Sequence, residues 1–133
     1  MGAVPGERRP MQNARPMTNA QLADALCEVS VPLREARRVH LATYGILIPH
    51  VFMADVLARV GECLAVARMD GSAAHAAEVE SIMGALEHGL AEGERETRNV
   101  IALSFARDSE LEIFFRELRL LMGPRTRAQL HGG

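Results

Sequence analysis

Apolar residues recur every three or four positions along most of the chain after residue 17, the spacing that places side chains on one face of an α-helix. Apart from the short segment 45–48, no alternation of apolar and polar residues predicts a strand. The pattern therefore predicts an all-α domain over residues 18–131, folded as a single compact bundle or short solenoid of five to seven helices. The expected helices cover 18–29, 32–44, 49–69, 72–92, 94–107 and 110–122, with a last turn or two over 125–130.

Residues with known capping preferences mark the ends of these helices. Thr18 and Gln21 have the spacing of a capping box, and Pro32 suits the first turn of a second helix. Gly45 is expected to end that helix in the left-handed conformation, after which Pro49 opens the third. Further breaks are expected at Asp70-Gly71, Gly93 and Gly123-Pro124.

The predicted core consists mainly of aliphatic side chains, because aromatic residues make up only 4% of the chain. The third helix has the widest apolar stripe and is expected to be central. The sixth is the clearest amphipath, and its Glu112 and Arg116 are expected to pair one turn apart. Inward positions are expected at Leu33, Ala36, Val39 and His40 in the second helix, and at Leu111, Phe114, Phe115, Leu118, Leu121 and Met122 in the sixth.

Residues 1–17 show no apolar periodicity and contain three of the six prolines. They are expected to form a flexible N-terminal leader outside the helical domain. The whole chain is 48% hydrophobic and 24% charged, which is typical of a soluble globular protein. Its net charge of −2 provides no global attraction for nucleic acid or an anionic membrane, so neither is predicted as a specific partner.

Cys27 and Cys63 lie within apolar helical patterns and are expected to be buried, reduced thiols. The most apolar stretch, 46–57, is too short to cross a bilayer, and the N-terminal residues lack the apolar segment of a secretory signal. A cytoplasmic location is therefore expected.

His75 and Glu78 have the spacing of helical metal ligands, but a di-iron site needs Glu-x-x-His twice together with further carboxylates. No metal and no cofactor are predicted.

An acidic stretch occupies residues 78–96, where six glutamates occur against one arginine, Arg95. Such a stretch is either a solvated helix face or a surface that docks a basic protein. Complementary charge across an interface raises the association rate and specificity. The second interpretation assigns partner contacts to Glu87, Glu92, Glu94 and Glu96.

Two pairs of residues suggest catalysis by their spacing. Arg34 and His40 have the Arg-x5-His spacing of the helical ribonucleases called HEPN domains, although Glu35 follows the arginine where those proteins usually have Asn, Asp or His. His50, near a helix N-terminus, and Asp55 would suit proton transfer if they formed a buried pair. The alternative is that His50 and Asp55 stabilise the fold, and no catalytic residue is predicted.

Several short motifs are shared with a known group of proteins. The segment YGILIPHVFMAD contains a glycine and then Pro-His opening an apolar helix that includes an Asp. The segment EGERETRNVIALSFARD contains Glu-Gly, a charged turn and an apolar helix with a Ser, and Gly-Pro follows near the end of the chain. Over about residues 40–130 the chain resembles small all-helical bacterial proteins that are often encoded among polymorphic toxin and immunity genes. The matching positions are Gly45, Pro49, His50, Asp55, Glu92, Gly93, Ser104, Phe105, Gly123 and Pro124.

The chain departs from that group at two places. Met122 stands before the final Gly-Pro where the group has Leu, and no looser loop is evident between residues 106 and 121. The resemblance implies immunity-like binding and no particular enzymatic activity. We therefore expect a non-enzymatic, immunity-type protein that binds and neutralises a cognate toxin, which the acidic stretch suggests is basic. The alternatives are a helical interaction module or homodimer, with the stripe of Phe114 and Phe115 partly at the interface, and, more weakly, a HEPN-like ribonuclease.

Overall fold

The computed structural model describes residues 15–131, and this part of the chain is an all-α bundle, as predicted. Seven α-helices and one π-helical segment account for the regular structure between these residues. Helix α1 packs against α4, and α4 also contacts the last helix, so the elements form a bundle instead of a solenoid in which only neighbours touch. The helices are α1 (Asn19–Val29), α2 (Val31–Tyr44), α3 (Pro49–Asp70), α4 (Ala73–Glu92), α5 (Arg95–Ile101), α6 (Phe115–Leu121) and α7 (Pro124–Arg127), and the π-helical segment (Ala102–Arg107) directly follows α5.

The helix ends follow the predicted capping signals. The Thr18 hydroxyl accepts a hydrogen bond from the Gln21 backbone N–H, and the Gln21 side chain accepts one from the Thr18 N–H, which completes the capping box. Ser30 caps α2, whose first turn contains Pro32. Gly45 ends α2 with a φ of +79°, a left-handed conformation that glycine adopts at little cost.

The core lies between the two longest helices, α3 and α4, and the elements that cover them. Apart from Phe105 and Met53, its largest fully buried side chains are aliphatic, in agreement with the composition. The inward positions predicted for α2 are confirmed for Leu33 and His40, but the prediction for Val39 is wrong because its side chain is exposed. The fully buried large side chains are Leu22, Leu26, Leu33, Met53, Val56, Val60, Val79, Ile82, Leu86, Ile101, Phe105 and Leu118.

The chain before α1 is tied to the turn between α4 and α5. The Met17 N–H donates to the Glu92 carbonyl, and the Met17 carbonyl accepts from the Glu94 N–H, which forms a parallel bridge to Gly93. A side chain at Gly93 would collide with the Gly89 carbonyl and with Thr97, so this turn requires a glycine for space. Met17, which the sequence assigned to the leader, thus contacts the domain, whereas residues 1–14 of the predicted leader lie outside the described residues.

The segment predicted as a helix over 110–122 begins later than expected. Residues 110–114 form a series of turns, and α6 starts only at Phe115. The predictions that Leu111 and Leu121 face inward are wrong, because both side chains are exposed, and no ion pair joins Glu112 to Arg116 in the described chain. The looser loop that was missing from the sequence pattern is therefore present.

None of the helices between residues 15 and 131 combines the length and the apolar character that a membrane crossing requires.

Candidate functional site

The structure divides the six glutamates of the acidic stretch into those whose carboxylates are hydrogen-bonded within the fold and those whose carboxylates are not. Glu78 belongs to the first group. Its carboxylate accepts two hydrogen bonds of 2.8 Å from the Arg59 guanidinium and one of 2.6 Å from the Ser30 hydroxyl. The Glu78 side chain is only 15% exposed. The hydrogen bonds from Arg59 lower the pKa of Glu78, against the opposing effect of burial and with further help from Ser30. This fork links α3, α4 and the start of α2.

Glu87, one of the predicted partner contacts, is also used within the fold. Its carboxylate accepts hydrogen bonds from the backbone N–H of Arg125 at 2.8 Å, the N–H of Thr126 at 3.0 Å and the Thr126 hydroxyl at 2.9 Å. Burial alone would raise the pKa of Glu87, but these hydrogen bonds outweigh it, and the net effect is a lowered pKa. Gly123 makes room, because a β-carbon there would lie 2.6 Å from the Glu87 carboxylate. Glu87 therefore caps α7.

The remaining glutamates do not form one continuous acidic face. Glu92 ends α4, and Glu94 and Glu96 follow the Gly93 turn, where they alternate with Arg95 and Arg98. Arg95 and Arg98 line a groove between α5 and α7, together with Arg125, Asn99 and Gln129. Glu80 is exposed on α4 about three turns before Glu92.

A groove between α1 and α4 brings Glu92 together with two carboxylates that the sequence analysis did not single out. Asp24 and Glu28 lie one turn apart on α1, and His88 and Glu92 lie one turn apart on α4, so the two pairs line opposite walls. The groove has a volume of about 470 Å³ and includes Arg15. The sequence marks Asp24 and Glu28 as the polar face of α1, but it contains no signal that this face borders α4.

The carboxylates of this groove differ in how they are paired. Asp24 accepts a hydrogen bond of 2.5 Å from Arg37 on α2, although its side chain remains largely exposed. Glu28 and Glu92 are exposed and take part in no ion pair with any residue between 15 and 131. Their negative charge is therefore available to a ligand that approaches the groove. We refer to this feature as the α1–α4 groove.

Two of the motif residues that carry the resemblance, His50 and Ser104, are in contact in the fold. His50 lies in the first turn of α3, next to Pro49, and its Nδ1 is hydrogen-bonded to the hydroxyl of Ser104 on the π-helical segment. π-Helical turns are rare and occur often at functional sites. Asp55 is exposed and makes no side-chain hydrogen bond within the described residues. The structure thus joins the two matching segments through His50 and Ser104, and it does not pair His50 with Asp55.

The contact between His50 and Ser104 lacks the other parts of a nucleophilic site. An activated serine needs a base that is itself oriented by a third group. No carboxylate of residues 15–131 is hydrogen-bonded to His50, and Ser104 is almost completely buried. The arrangement is suited to bracing the N-terminus of α3 against the π-helical segment.

Arg34 and His40, the predicted ribonuclease pair, have separate structural roles. His40 is 3% exposed, its Nε2 accepts a hydrogen bond of 2.9 Å from the Ile48 N–H, and its ring packs on Tyr44 and Phe52. Arg34 donates to the Cys27 carbonyl at the end of α1. A general base for RNA cleavage must reach its substrate, so this geometry does not favour catalysis by His40.

His75 and Glu78, the candidate metal ligands, also have structural roles. His75 is hydrogen-bonded to Ser72, which caps α4, and Glu78 is engaged by Arg59. Within residues 15–131 no three His, Cys, Asp or Glu side chains form a group that could hold a metal ion. Both cysteines are buried free thiols, and burial, together with the nearby Glu78, raises the pKa of Cys63 to about 11.

In comparisons with known proteins, no family model, curated protein or solved structure matches the chain.

Proposed function

We propose that this protein is a non-enzymatic antagonist of the immunity type, which binds a basic toxin through the α1–α4 groove in the cytoplasm. The observation that carries the proposal is the pair Glu28 and Glu92, two exposed and unpaired carboxylates of the described chain on opposite walls of one groove. Met17 is bonded to Glu92 at one end of α1 and Ser30 to Glu78 at the other, so α1 and α4 are antiparallel. The two carboxylates therefore lie toward opposite ends of the groove, where each is proposed to bind a different lysine or arginine of the partner. Occupying the toxin's basic surface then blocks its contact with its own target.

The electrostatics of the groove suit fast recognition. Three carboxylates line it against a single guanidinium, that of Arg15, although the whole chain carries a net charge of only −2. An excess of one sign of charge along a cleft raises association rates, by about 10- to 1,000-fold in favourable cases at low ionic strength. Rapid capture is the property that a cell needs from an antagonist of a toxic protein.

The structure changes the set of residues that we assign to the partner. Glu92 keeps the role expected from the sequence, and Asp24 and Glu28 join it in the groove. Glu94 and Glu96 follow the adjacent turn and are proposed to contribute to long-range steering. Glu87 leaves the set, because its carboxylate is occupied by the N-terminus of α7.

A capture experiment followed by binding kinetics tests the proposal. The tagged protein is used at low salt to capture a partner from its host, which is identified by mass spectrometry and then purified. We expect the double variant Glu28→Lys/Glu92→Lys to associate with this partner at least about tenfold more slowly at low salt. Glu80→Lys, an exposed change on the same helix outside the groove, should have a much smaller effect per charge. Equal effects per charge for groove and control variants would contradict the proposed site.

A growth assay tests the antagonist role separately from the site. The captured partner is expressed alone, with the wild-type protein, and with the double variant. We expect growth arrest in the first case, growth in the second and weaker protection in the third. A partner that is harmless when expressed alone would exclude the immunity-type function even if the groove binds it.

A further inference from the structure

A second surface, unrelated to the α1–α4 groove, exposes large apolar side chains close together in the chain. Leu111 is 86% exposed, Ile113 is 101% exposed and Leu120 is 78% exposed. Single exposed apolar residues are ordinary, whereas a contiguous group of them is typical of a surface that binds another molecule. We call residues 111–120 the apolar segment.

The fold holds this segment in place by two inward anchors. The Phe114 ring lies against Gly61 on α3, where a β-carbon would come within 2.5 Å of the ring. Leu118 on α6 is completely buried. Because Phe114 and Leu118 point inward, their neighbours Ile113 and Leu120 are directed to the outside. The packing of Phe114 and Leu118 therefore keeps the side chains of Ile113 and Leu120 exposed.

A groove beside the segment is shaped to accept an apolar side chain. It lies between α3, which contributes Ala54, Leu57 and Ala58, and the turn that contains Leu111 and Glu112. Its volume is about 390 Å³ and it also includes Asp108. Leu111 thus projects from the edge of a recess whose other walls include small and aliphatic side chains. A surface that contains both features can be complementary to itself.

The charges of the segment are ordered in the same self-complementary way. Glu112 lies near its beginning and Arg119 near its end, both exposed and without an ion pair in the described chain. The segment begins with Leu111 followed by Glu112 and ends with Arg119 followed by Leu120. Read from either end it therefore starts with a leucine and then a charged residue, and the two charges are opposite. The segment runs along α3, since Leu111 lies beside Ala54 and Ala58, Phe114 on Gly61, and Glu117 accepts a hydrogen bond from Arg68. A two-fold axis through its middle would bring Leu111 opposite Leu120 and Glu112 opposite Arg119.

We propose that a second copy of this chain covers the apolar segment and forms a two-fold symmetric dimer. In such an interface each contact occurs twice, so the projecting Leu120 of each copy lies over the recess beside Leu111 of the other. A partner of different sequence would have to supply both charges in the opposite order, whereas a second copy already has them. The α1–α4 groove stays open in this dimer, which therefore presents two antagonist sites.

Measurement of molar mass over a range of concentrations tests the dimer directly. Light scattering on the full chain should give twice the 14.5-kDa monomer mass, and Ile113→Asp/Leu120→Asp should reduce it to the monomer mass. Val31→Asp is the matched control, since Val31 is an exposed apolar residue at the start of α2, outside the segment, and the mass of this variant should remain that of the dimer. A wild-type monomer up to the highest concentration measured, or a dimer that survives the double change, would overturn the proposal.

Charge exchange tests the two-fold arrangement. Glu112→Arg and Arg119→Glu should each weaken self-association by about tenfold, because like charges then face each other across the axis. The combined variant should regain most of the lost affinity, since the opposite charges are again opposed. If the two single changes are harmless, or if the combined variant is weaker than either, Glu112 does not face Arg119 and the arrangement is wrong. Circular dichroism on each variant confirms that the helices are intact.

Discussion

Gly61 is the residue on which the position of the Phe114 ring depends. A glycine inside a helix costs about 0.5–1 kcal/mol relative to alanine, so Gly61→Ala gains this amount in helix propensity. The added methyl group would, however, lie 2.5 Å from the Phe114 ring and force it outward. We expect the net effect to be a lower free energy of unfolding, measured by urea denaturation, since overpacking typically costs about 1–3 kcal/mol.

Gly84 provides the matched control for this change. It lies in the interior of α4, it is exposed, and a β-carbon there would meet nothing within 4 Å. Gly84→Ala should therefore raise the free energy of unfolding by about 0.5–1 kcal/mol. If Gly61→Ala stabilises the protein as much as Gly84→Ala does, Phe114 is not held by contact with Gly61.

His40 shows how a residue with a catalytic-looking spacing is used by the fold. His40→Ala removes the acceptor of the partly buried Ile48 N–H and the ring that packs on Phe52. We expect a loss of about 2 kcal/mol or more in the free energy of unfolding, because a donor left unsatisfied costs about 1–3 kcal/mol before packing is counted. His88→Ala, an exposed change on α4, should cost little. Equal stability of the two variants would contradict the structural role of His40.

At the scale of elements, the short helix α7 depends on a residue far away in the sequence. A helix of four residues does not form by itself in water, and α7 is fixed by the three hydrogen bonds that Glu87 accepts. Glu87→Ala should lower the free energy of unfolding by about 2–4 kcal/mol, since it leaves the buried Thr126 without its acceptor. Hydrogen exchange at the backbone amides of residues 124–130 should accelerate more than exchange in α3.

The control for this element is Glu80→Ala, which removes an exposed glutamate from the same helix as Glu87. It should leave both the stability and the exchange of residues 124–130 nearly unchanged. Protection of α7 that persists in Glu87→Ala would show that packing against α4 holds the helix without the cap.

The elements that the sequence predicted well are those whose ends are determined locally. Thr18 with Gln21 and Gly45 are capping signals that act within a few residues, so their helices begin and end where expected. The segment 110–114 was predicted poorly because its conformation depends on a distant contact, that of Phe114 with Gly61. Helical spacing of Leu111 with Phe114 was a correct observation about the sequence, but tertiary packing overrides it.

The same distinction applies to the candidate site of the whole molecule. The acidic stretch was visible in the sequence, and Glu92 remains in the groove, but the pairing of Glu78 with Arg59 and of Glu87 with α7 joins residues 19 and 38 or more positions apart. Asp24 and Glu28 enter the site only because α1 packs beside α4. A glutamate that faces solvent and one that is bound internally have the same local sequence pattern, so only the fold separates them.

The Glu78 fork makes the stability of the whole molecule depend on pH. Its pKa in the folded state is lowered, first by the hydrogen bonds from Arg59, below the value of about 4.3 for an unfolded glutamate. A carboxyl group with a depressed folded pKa contributes stability that is present above the unfolded pKa and is lost as pH falls through the folded pKa. Glu87 acts in the same direction. We therefore expect the free energy of unfolding to decrease steadily on acidification below about pH 5.

Glu78→Gln separates this contribution from that of the other carboxylates. At pH 7 the variant should be less stable than the wild type by about 2 kcal/mol, because it loses charge-assisted hydrogen bonds to the largely buried Arg59. As pH falls through the folded pKa, the wild-type carboxylate becomes protonated and the difference should shrink. Urea denaturation at several pH values between about 3 and 7 measures this convergence, with the exposed Glu80→Gln as the control that should follow the wild type throughout. If the gap between Glu78→Gln and wild type is independent of pH, the Arg59 contact stabilises the bundle by shape and packing, and the acid sensitivity resides in other groups.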